Sequence, residues 1–398
     1  MIHVLAAMMC PFIPLAGFIL HLAQAVEPVT FDLEAARGIR IVAVEPIVPG
    51  PGLPSGLEIL PANNNLDITR FDEDYFLAFR TAPTHFASSR ARLIVVRSKD
   101  REVWTEEAQF QLEESDLREP RFLVFQGKLF LYFFRAGNNP FDFEPQGIHV
   151  TERIGPGDWT EPKPIFRPGF VNWRVKARNG LAYMSTYYGA GIYTTADRTG
   201  EVRLLTSTDG YEWTPIAQRA QETGAGAEET AFEFDEAGNL AAVIRLEVQG
   251  AKVCTACAGA LADWQCEYTP MKYDSPLMFR HGSDFYVIAR RNVAGPFYRG
   301  LTRLPERWQR AWYLARYSLT RKRTALYKVD LEHRRLVPLL DLPSKGDTAF
   351  AGIVKLDDRS YYVANYSSAL DGPDWPWIVG QLRPTIIYGM ILNFAEAG

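Results

Sequence analysis

Ser207-Thr-Asp209-Gly210-Tyr-Glu-Trp213-Thr-Pro215 reads as a tight turn that leaves a tryptophan free to pack. A short acceptor such as Asp209 can take the backbone N–H groups that follow it, and Gly210 tolerates a left-handed backbone. Related strings recur at Ser98-Lys-Asp100-Arg-Glu-Val-Trp104-Thr, Gly155-Pro-Gly157-Asp-Trp159-Thr and Ala262-Asp263-Trp264, so the tryptophans are spaced 55, 54 and 51 residues apart. Interleaved with them are six apolar runs: Tyr75–Phe79, Leu129–Phe134, Leu181–Ser185, Leu240–Ile244, Phe285–Ala289 and Tyr361–Asn365. Most follow turn residues such as Gln126-Gly127, Asn179-Gly180, Gly238-Asn239 and Gly282-Ser283. The repeating unit is therefore strand, tight turn, strand, longer loop, strands.

Several strands per unit at a period of about fifty residues indicate an all-β propeller, because such units bury their faces only against one another. Six copies predict six blades over residues 58–398, preceded by a lead-in strand and loop at 26–57. Ring closure is expected from Ile39–Val44 pairing with a strand of the last blade near Ile386–Leu392. Helical periodicity is confined to Leu304–Leu314, where Trp308 and Trp312 stand four apart.

The chain has 398 residues, with 43 Lys and Arg against 47 Asp and Glu, a formal charge of −4. That balance excludes a polyanion-binding module, so no nucleic-acid partner is expected. Residues 1–25 contain no Lys, Arg, Asp or Glu and end in Ala23-Gln24-Ala25, which reads as a secretory signal; retained, the same segment would be a membrane anchor. The expected location is periplasmic or extracellular. Beyond it lie Cys254, Cys257 and Cys266, for which a hairpin disulfide from Cys266 to Cys254 or to Cys257 is expected and one thiol is left over. No motif requires a metal or a cofactor. Metalloprotease, NTPase, serine-hydrolase and Rossmann signatures are missing.

In a propeller the first strand of each blade starts, and the second ends, on the same face near the axis. That rule gathers Arg80, Arg135, Tyr187 or Tyr188, Arg245, Arg290 and Tyr366 from second strands. First strands contribute Asp67, Arg118-Glu119, Trp173-Arg174, Glu228-Glu229, Asp274 and Asp347. Neighbouring carboxylates and arginines shift one another's pKa values, which suits glycoside cleavage by an acid and a nucleophile or base. His85, in the loop after Arg80, is a further proton carrier. From Arg290 to Arg323, ten basic residues and the single acid Glu306 are interleaved with Phe297, Tyr298, Trp308, Trp312, Tyr313 and Tyr317, a composition suited to an acidic polysaccharide.

These strings, with Phe79-Arg80-Thr-Ala-Pro-Thr-His85, Asp116-Leu-Arg118-Glu119-Pro120, Ser275-Pro276 and Leu342-Pro-Ser344-Lys-Gly346-Asp347, resemble the sialidase-like, BNR-repeat (Asp-box) six-bladed propellers over roughly residues 57–393. The resemblance implies that Glu229, Arg245, Arg290 and Tyr366 correspond to the glutamate, two of the three arginines and the nucleophilic tyrosine of a sialidase. No Phe-Arg-Ile-Pro string opens the first blade; Asn63-Asn-Asn-Leu66-Asp67 stands there, and Arg80 offers a guanidinium from the next strand. The expectation is a glycoside hydrolase acting on an acidic or uronate-containing glycan. Tyr366 would be its nucleophile or transition-state stabiliser, Glu229 the partner of Tyr366, and Glu119 or His85 the acid/base. Arg80, Arg118, Arg174, Arg245, Arg290, Asp347 and Trp173 would bind substrate. A non-catalytic carbohydrate-binding propeller is the alternative.

Overall fold

A run such as Leu129–Phe134 is apolar on both faces, which suits a strand only where both faces are covered. The computed structural model describes residues 29–140, 144–189, 200–298 and 305–395; the expected signal segment lies outside them. In it, every such run is the buried second strand of an antiparallel blade, and six blades form a β-propeller. Numbered in chain order, the blades have first strands Ala62–Phe71, Asp116–Phe125, Phe170–Arg178, Ala227–Phe234, Asp274–His281 and Thr348–Lys355. Their second strands are Asp74–Ala82, Lys128–Ala136, Leu181–Tyr188, Leu240–Leu246, Asp284–Asn292 and Ser360–Ser368. Each contains one of the six apolar runs.

The ring is closed by sequence-distant pairing. Ile39–Val48 forms the outer strand of blade 6, running antiparallel to Thr385–Phe394 from Ile39 opposite Phe394 to Val48 opposite Ile387. Two of the tryptophan turns share one bond set. Asp100 Oδ1 accepts the N–H groups of Glu102 and Val103 at 2.9 Å, and Asp209 Oδ1 those of Tyr211 and Glu212 at 2.8 Å. Their tryptophans, Trp104 and Trp213, are buried. The Gly155 turn is instead a plain hairpin in which Arg153 faces Trp159.

Cys254 and Cys266 sit opposite each other on neighbouring strands of blade 4 and form the disulfide, which leaves Cys257 free and exposed. The helix expected at 304–314 spans Glu306–Ser318. Its Tyr313 and Tyr317 pack with Phe297 in a small core of their own.

Every first strand breaks its pairing at one common level. Register shifts fall between Asn64 and Leu66, Arg118 and Arg121, Asn172 and Arg174, Glu228 and Thr230, Asp274 and Leu277, and Ala349 and Gly352. A bulge inserts an unpaired residue and re-aims side chains out of the strand's alternation. The residues inserted here include Asn65, Glu119, Trp173, Glu229, Ser275 and Phe350, with left-handed φ at Asn65, Glu119, Ser275 and Phe350. Trp173 crosses the axis from blade 3. Its indole N–H donates to the Pro276 carbonyl of blade 5 at 3.0 Å, and its ring lies 5.3 Å from that of Phe350 in blade 6. Arg121 stacks on the indole at 5.0 Å and donates to the carbonyls of Trp173 and, at 2.9 Å, Leu66.

Trp173 is therefore an axial plug with no exposed surface, which corrects its expected place in substrate binding. Trp173→Ala should cost about 3–5 kcal/mol in chemical denaturation, as for other large buried aromatics, whereas Val103→Ala on the surface should be close to neutral.

Candidate active site

First-strand starts and second-strand ends meet on one face as the topology requires: Asn64 pairs with Arg80, Glu228 with Arg245, Asp274 with Arg290 and Ala349 with Tyr366. The arginines converge, but each is engaged by its own chain. Arg80 is fully buried; its Nε and Nη2 donate to the two oxygens of Asp116 at 2.6 and 2.7 Å, and its other N–H groups go to Asn64, Thr84 and Phe86. It presents no donor to a ligand. The same Asp116 receives Arg118 at 3.0 Å, and despite burial its carboxyl is held below the usual range by Arg118 and Arg80.

Arg245 is ringed by four carboxylates. Nη1 lies 2.6 Å from Glu229, Nη2 2.6 Å from Glu247, and Nε 2.9 Å from Glu228 and 3.2 Å from Asp274. Lys272 adds a cation 3.1 Å from Glu247. Burial pushes Glu228 well above the usual carboxylate range, with Glu247 and Glu229 adding to the rise against the pull of Arg245. Asp274 moves the other way: burial opposes its ionisation, but Arg245, Lys272 and Arg290 outweigh it. Arg290 lies 3.5 Å from Asp274, and the Trp377 ring covers its guanidinium at 4.6 Å. Tyr317, from the helix Glu306–Ser318, donates its hydroxyl to Asp274 at 2.5 Å.

Tyr366 is sealed beneath the same cover. Its hydroxyl donates to Asp347 at 3.0 Å, not to Glu229, which corrects the expected Tyr366–Glu229 pairing. Burial and then the Asp347 charge push the phenol well above its ordinary pKa, which opposes formation of a phenolate nucleophile. Asp347 also accepts the indole N–H of Trp377 at 3.0 Å and lies 2.6 Å from Nδ1 of His85. A buried carboxylate bonded to one ring nitrogen fixes the imidazole's orientation.

Glu119 and Glu229 come from equivalent bulges in blades 2 and 4. Their side chains keep 7% and 6% exposure, and the His85 and Arg118 side chains keep 13% each. These four, with Glu247 and Arg245, carry what exposure the cluster keeps. Glu119 accepts from Asn65 Nδ2 at 2.7 Å and from Arg121 at 3.3 Å. Burial raises its carboxyl to about 8 against the pull of Arg121, with Glu229 adding to the rise. Glu229 is held differently, by Arg245 at 2.6 Å and by the Ser275 backbone N–H at 2.7 Å. Arg174 points toward the same pair, donates from Nε to the Pro276 carbonyl at 3.0 Å, and is driven well below its ordinary pKa by burial and Arg121.

Asp116, Asn65, Ser275 and Trp377 were missed as members of this cluster. Asp116 opens its first strand as Asp274 opens another, so the register rule could have supplied it; Trp377 sits in a loop with no repeating signal. Among the described residues no group of His, Cys, Asp or Glu is arranged to hold a metal ion. A cavity of about 610 Å³ opens at the other end of the axis, where Lys176 pairs with Glu233 and Arg280 with Glu236.

No family model and no curated protein sequence matches the chain. Solved structures do match in fold. A Dyadobacter fermentans protein of unknown function superposes with a TM-score of 0.61 at 15% identity, over 90% of this chain and 99% of that one. Trypanosoma rangeli sialidase gives 0.57 at 13% identity over 89% of this chain and 59% of its own, and its complex with sialic acid gives 0.56 at 13% over 90% and 59%. The chain thus spans about 59% of the sialidase's length. At such identity the likeness is one of fold, and distant structural neighbours of this propeller include glycoside hydrolases.

Two outcomes follow from these placements. Asp116→Ala, which strands the buried guanidinium of Arg80, should cost about 3–5 kcal/mol by denaturation. Glu119 is raised from 4.5 to about 8, so its contribution to stability is complete below pH 4.5 and lost as pH rises through 8. Thermal unfolding of Glu119→Gln should match wild type near pH 5 and exceed it at pH 9.

Proposed function

We propose that the protein hydrolyses a glycosidic bond on this face, with Glu119 as proton donor and Glu229 as the base or nucleophile. The observation that carries the reading is two carboxyl groups in one opening whose surroundings divide their roles. Glu119 is kept protonated near neutral pH by burial, and Glu229 is paired with Arg245 and a backbone N–H. Glycosidases divide a carboxyl pair in this way. His85, oriented by Asp347, and Arg118 would hold sugar hydroxyls at the rim. Tyr366 would support Asp347 instead of attacking.

The sialidase fold of the neighbours favours a glycan substrate but does not name it. An acidic glycan loses much of its basis, since Arg80, Arg245 and Arg290 already have carboxylate partners. Export remains part of the proposal, supported by the Cys254–Cys266 disulfide. A non-catalytic glycan-binding propeller is the second reading, favoured by the small exposure of both carboxyls.

The test is incubation of residues 26–398 with neutral, uronate-rich, sulfated and sialylated glycans in ¹⁸O-labelled water, with mass spectrometry of the products. Hydrolysis incorporates the label, and Glu119→Gln should reduce turnover about 10²–10⁴-fold. Binding without a labelled product across the panel would transfer the proposal to the non-catalytic reading.

A further inference from the structure

Four buried polar atoms beside the two glutamates have no partner: Asn65 Oδ1, Asn172 Oδ1, Arg174 Nη2 and Ser275 Oγ. Each belongs to a residue at a bulge or immediately beside one, from blades 1, 3 and 5. Their neighbours on the same side chains and backbone fix where they lie. Asn65 Nδ2 donates to the Glu119 carboxyl at 2.7 Å and Asn172 Nδ2 to the Glu119 carbonyl at 2.8 Å. The Ser275 N–H donates to the Glu229 carboxyl at 2.7 Å, and Arg174 Nε to the adjoining Pro276 carbonyl at 3.0 Å. The unpartnered atoms therefore lie around the Glu119–Glu229 pair: Asn65 and Ser275 each hold one of the two carboxyls through another group, Asn172 holds the Glu119 backbone, and the Arg174 charge acts on both glutamates.

Buried polar atoms are rarely left unbonded, and each costs free energy until something fills its place. This set has a distinct chemistry: one guanidinium donor, two amide acceptors and a hydroxyl that can do either. A hydroxyl-bearing ligand meets all of it, because every sugar hydroxyl both donates and accepts. A carboxylate ligand does not. It would face two amide oxygens and the Glu229 carboxylate, with the single open guanidinium of Arg174 in its favour.

We propose that Asn65, Asn172, Arg174 and Ser275 form a subsite for the hydroxyl groups of a neutral sugar ring, seated between Glu119 and Glu229. This rests on the glycan reading above and narrows it to an uncharged residue at the reacting position. Ser275 sets specificity through its hydroxyl alone, since that hydroxyl holds nothing in the free protein.

The test uses isothermal titration of residues 26–398 with methyl glycosides of glucose, galactose, mannose, fucose and xylose, and with N-acetylneuraminic and glucuronic acids. At least one neutral glycoside should bind more tightly than both acids. Ser275→Ala should weaken that binding about fivefold to tenfold, the worth of one hydrogen bond, while leaving the thermal midpoint unchanged. Asn172→Ala, which also loses a bond to the Glu119 carbonyl, should weaken binding with a lowered midpoint. Preferential binding of either acid would overturn the subsite, as would neutral binding indifferent to Ser275→Ala, which would assign the four atoms to buried water. Hydrolysis of an acidic glycan would then leave the glycosidase reading standing alone; neutral binding that depends on Ser275, without hydrolysis, would leave the subsite standing alone.

Discussion

The bulge repeated in all six first strands is the constraint on which the rest of the structure depends. A propeller of pure alternating strands would have a channel down its axis, and side chains pointing alternately between the neighbouring blades. One unpaired residue at a common level in each blade breaks that alternation and turns a ring of side chains inward. Two of the six, Trp173 and Phe350, meet across the axis and close it. Arg121 ties the plug to blades 1 and 2, and Pro276 ties it to blade 5. The other inserted residues, Asn65, Glu119, Glu229 and Ser275, are left as a polar floor on one side of the plug. Closure of the axis and construction of the candidate site are thus one structural event.

Electrostatics then sorts the floor into two zones. Under Trp377 and Tyr317, Arg290 pairs with Asp274 and Tyr366 with Asp347, and all four are withdrawn from solvent. Toward the axis, Glu119 and Glu229 stay partly open and unequal in environment, one kept protonated by burial and the other held by Arg245 and a backbone N–H. The arginines act mainly to hold buried carboxylates in place. Arg80 with Asp116 and Arg245 with its four acids are ion pairs whose removal on one side alone would be costly. A shared propeller fold therefore says little about which side chains meet a substrate, and the tyrosine that resembles a sialidase nucleophile lies in the closed zone.

Much of the architecture was legible because it is repetitive. The apolar runs at Tyr75–Phe79 and its five equivalents can be read only as doubly covered strands, and Ile39–Val44 could be matched to the last blade by its unpaired apolar pattern. The rule for strand ends brought Arg80, Glu119, Glu229, Arg245, Arg290, Asp347 and Tyr366 to one face. It could not say which carboxylate each arginine takes, because side-chain pairing depends on distances between blades that no periodicity encodes. It also could not see the bulges. The strand-start rule puts Trp173 together with Arg174 in the substrate pocket, whereas the strand slips by one residue at that point and the indole crosses the axis. Trp377 and Tyr317 come from unique insertions, and nothing local in either reports what it covers.

The claim that orders the site is that burial keeps Glu119 a protonated acid beside Glu229, which Arg245 and a backbone N–H hold. It is most directly tested by ¹³C NMR of the chain labelled at glutamate Cδ, with Glu119→Gln used to assign the resonance, followed from pH 4 to 10. The account predicts a Glu119 carboxyl that titrates near 8. A midpoint between 4 and 5 would mean that its surroundings do not hold the proton, and the division of roles between Glu119 and Glu229 would fail with it.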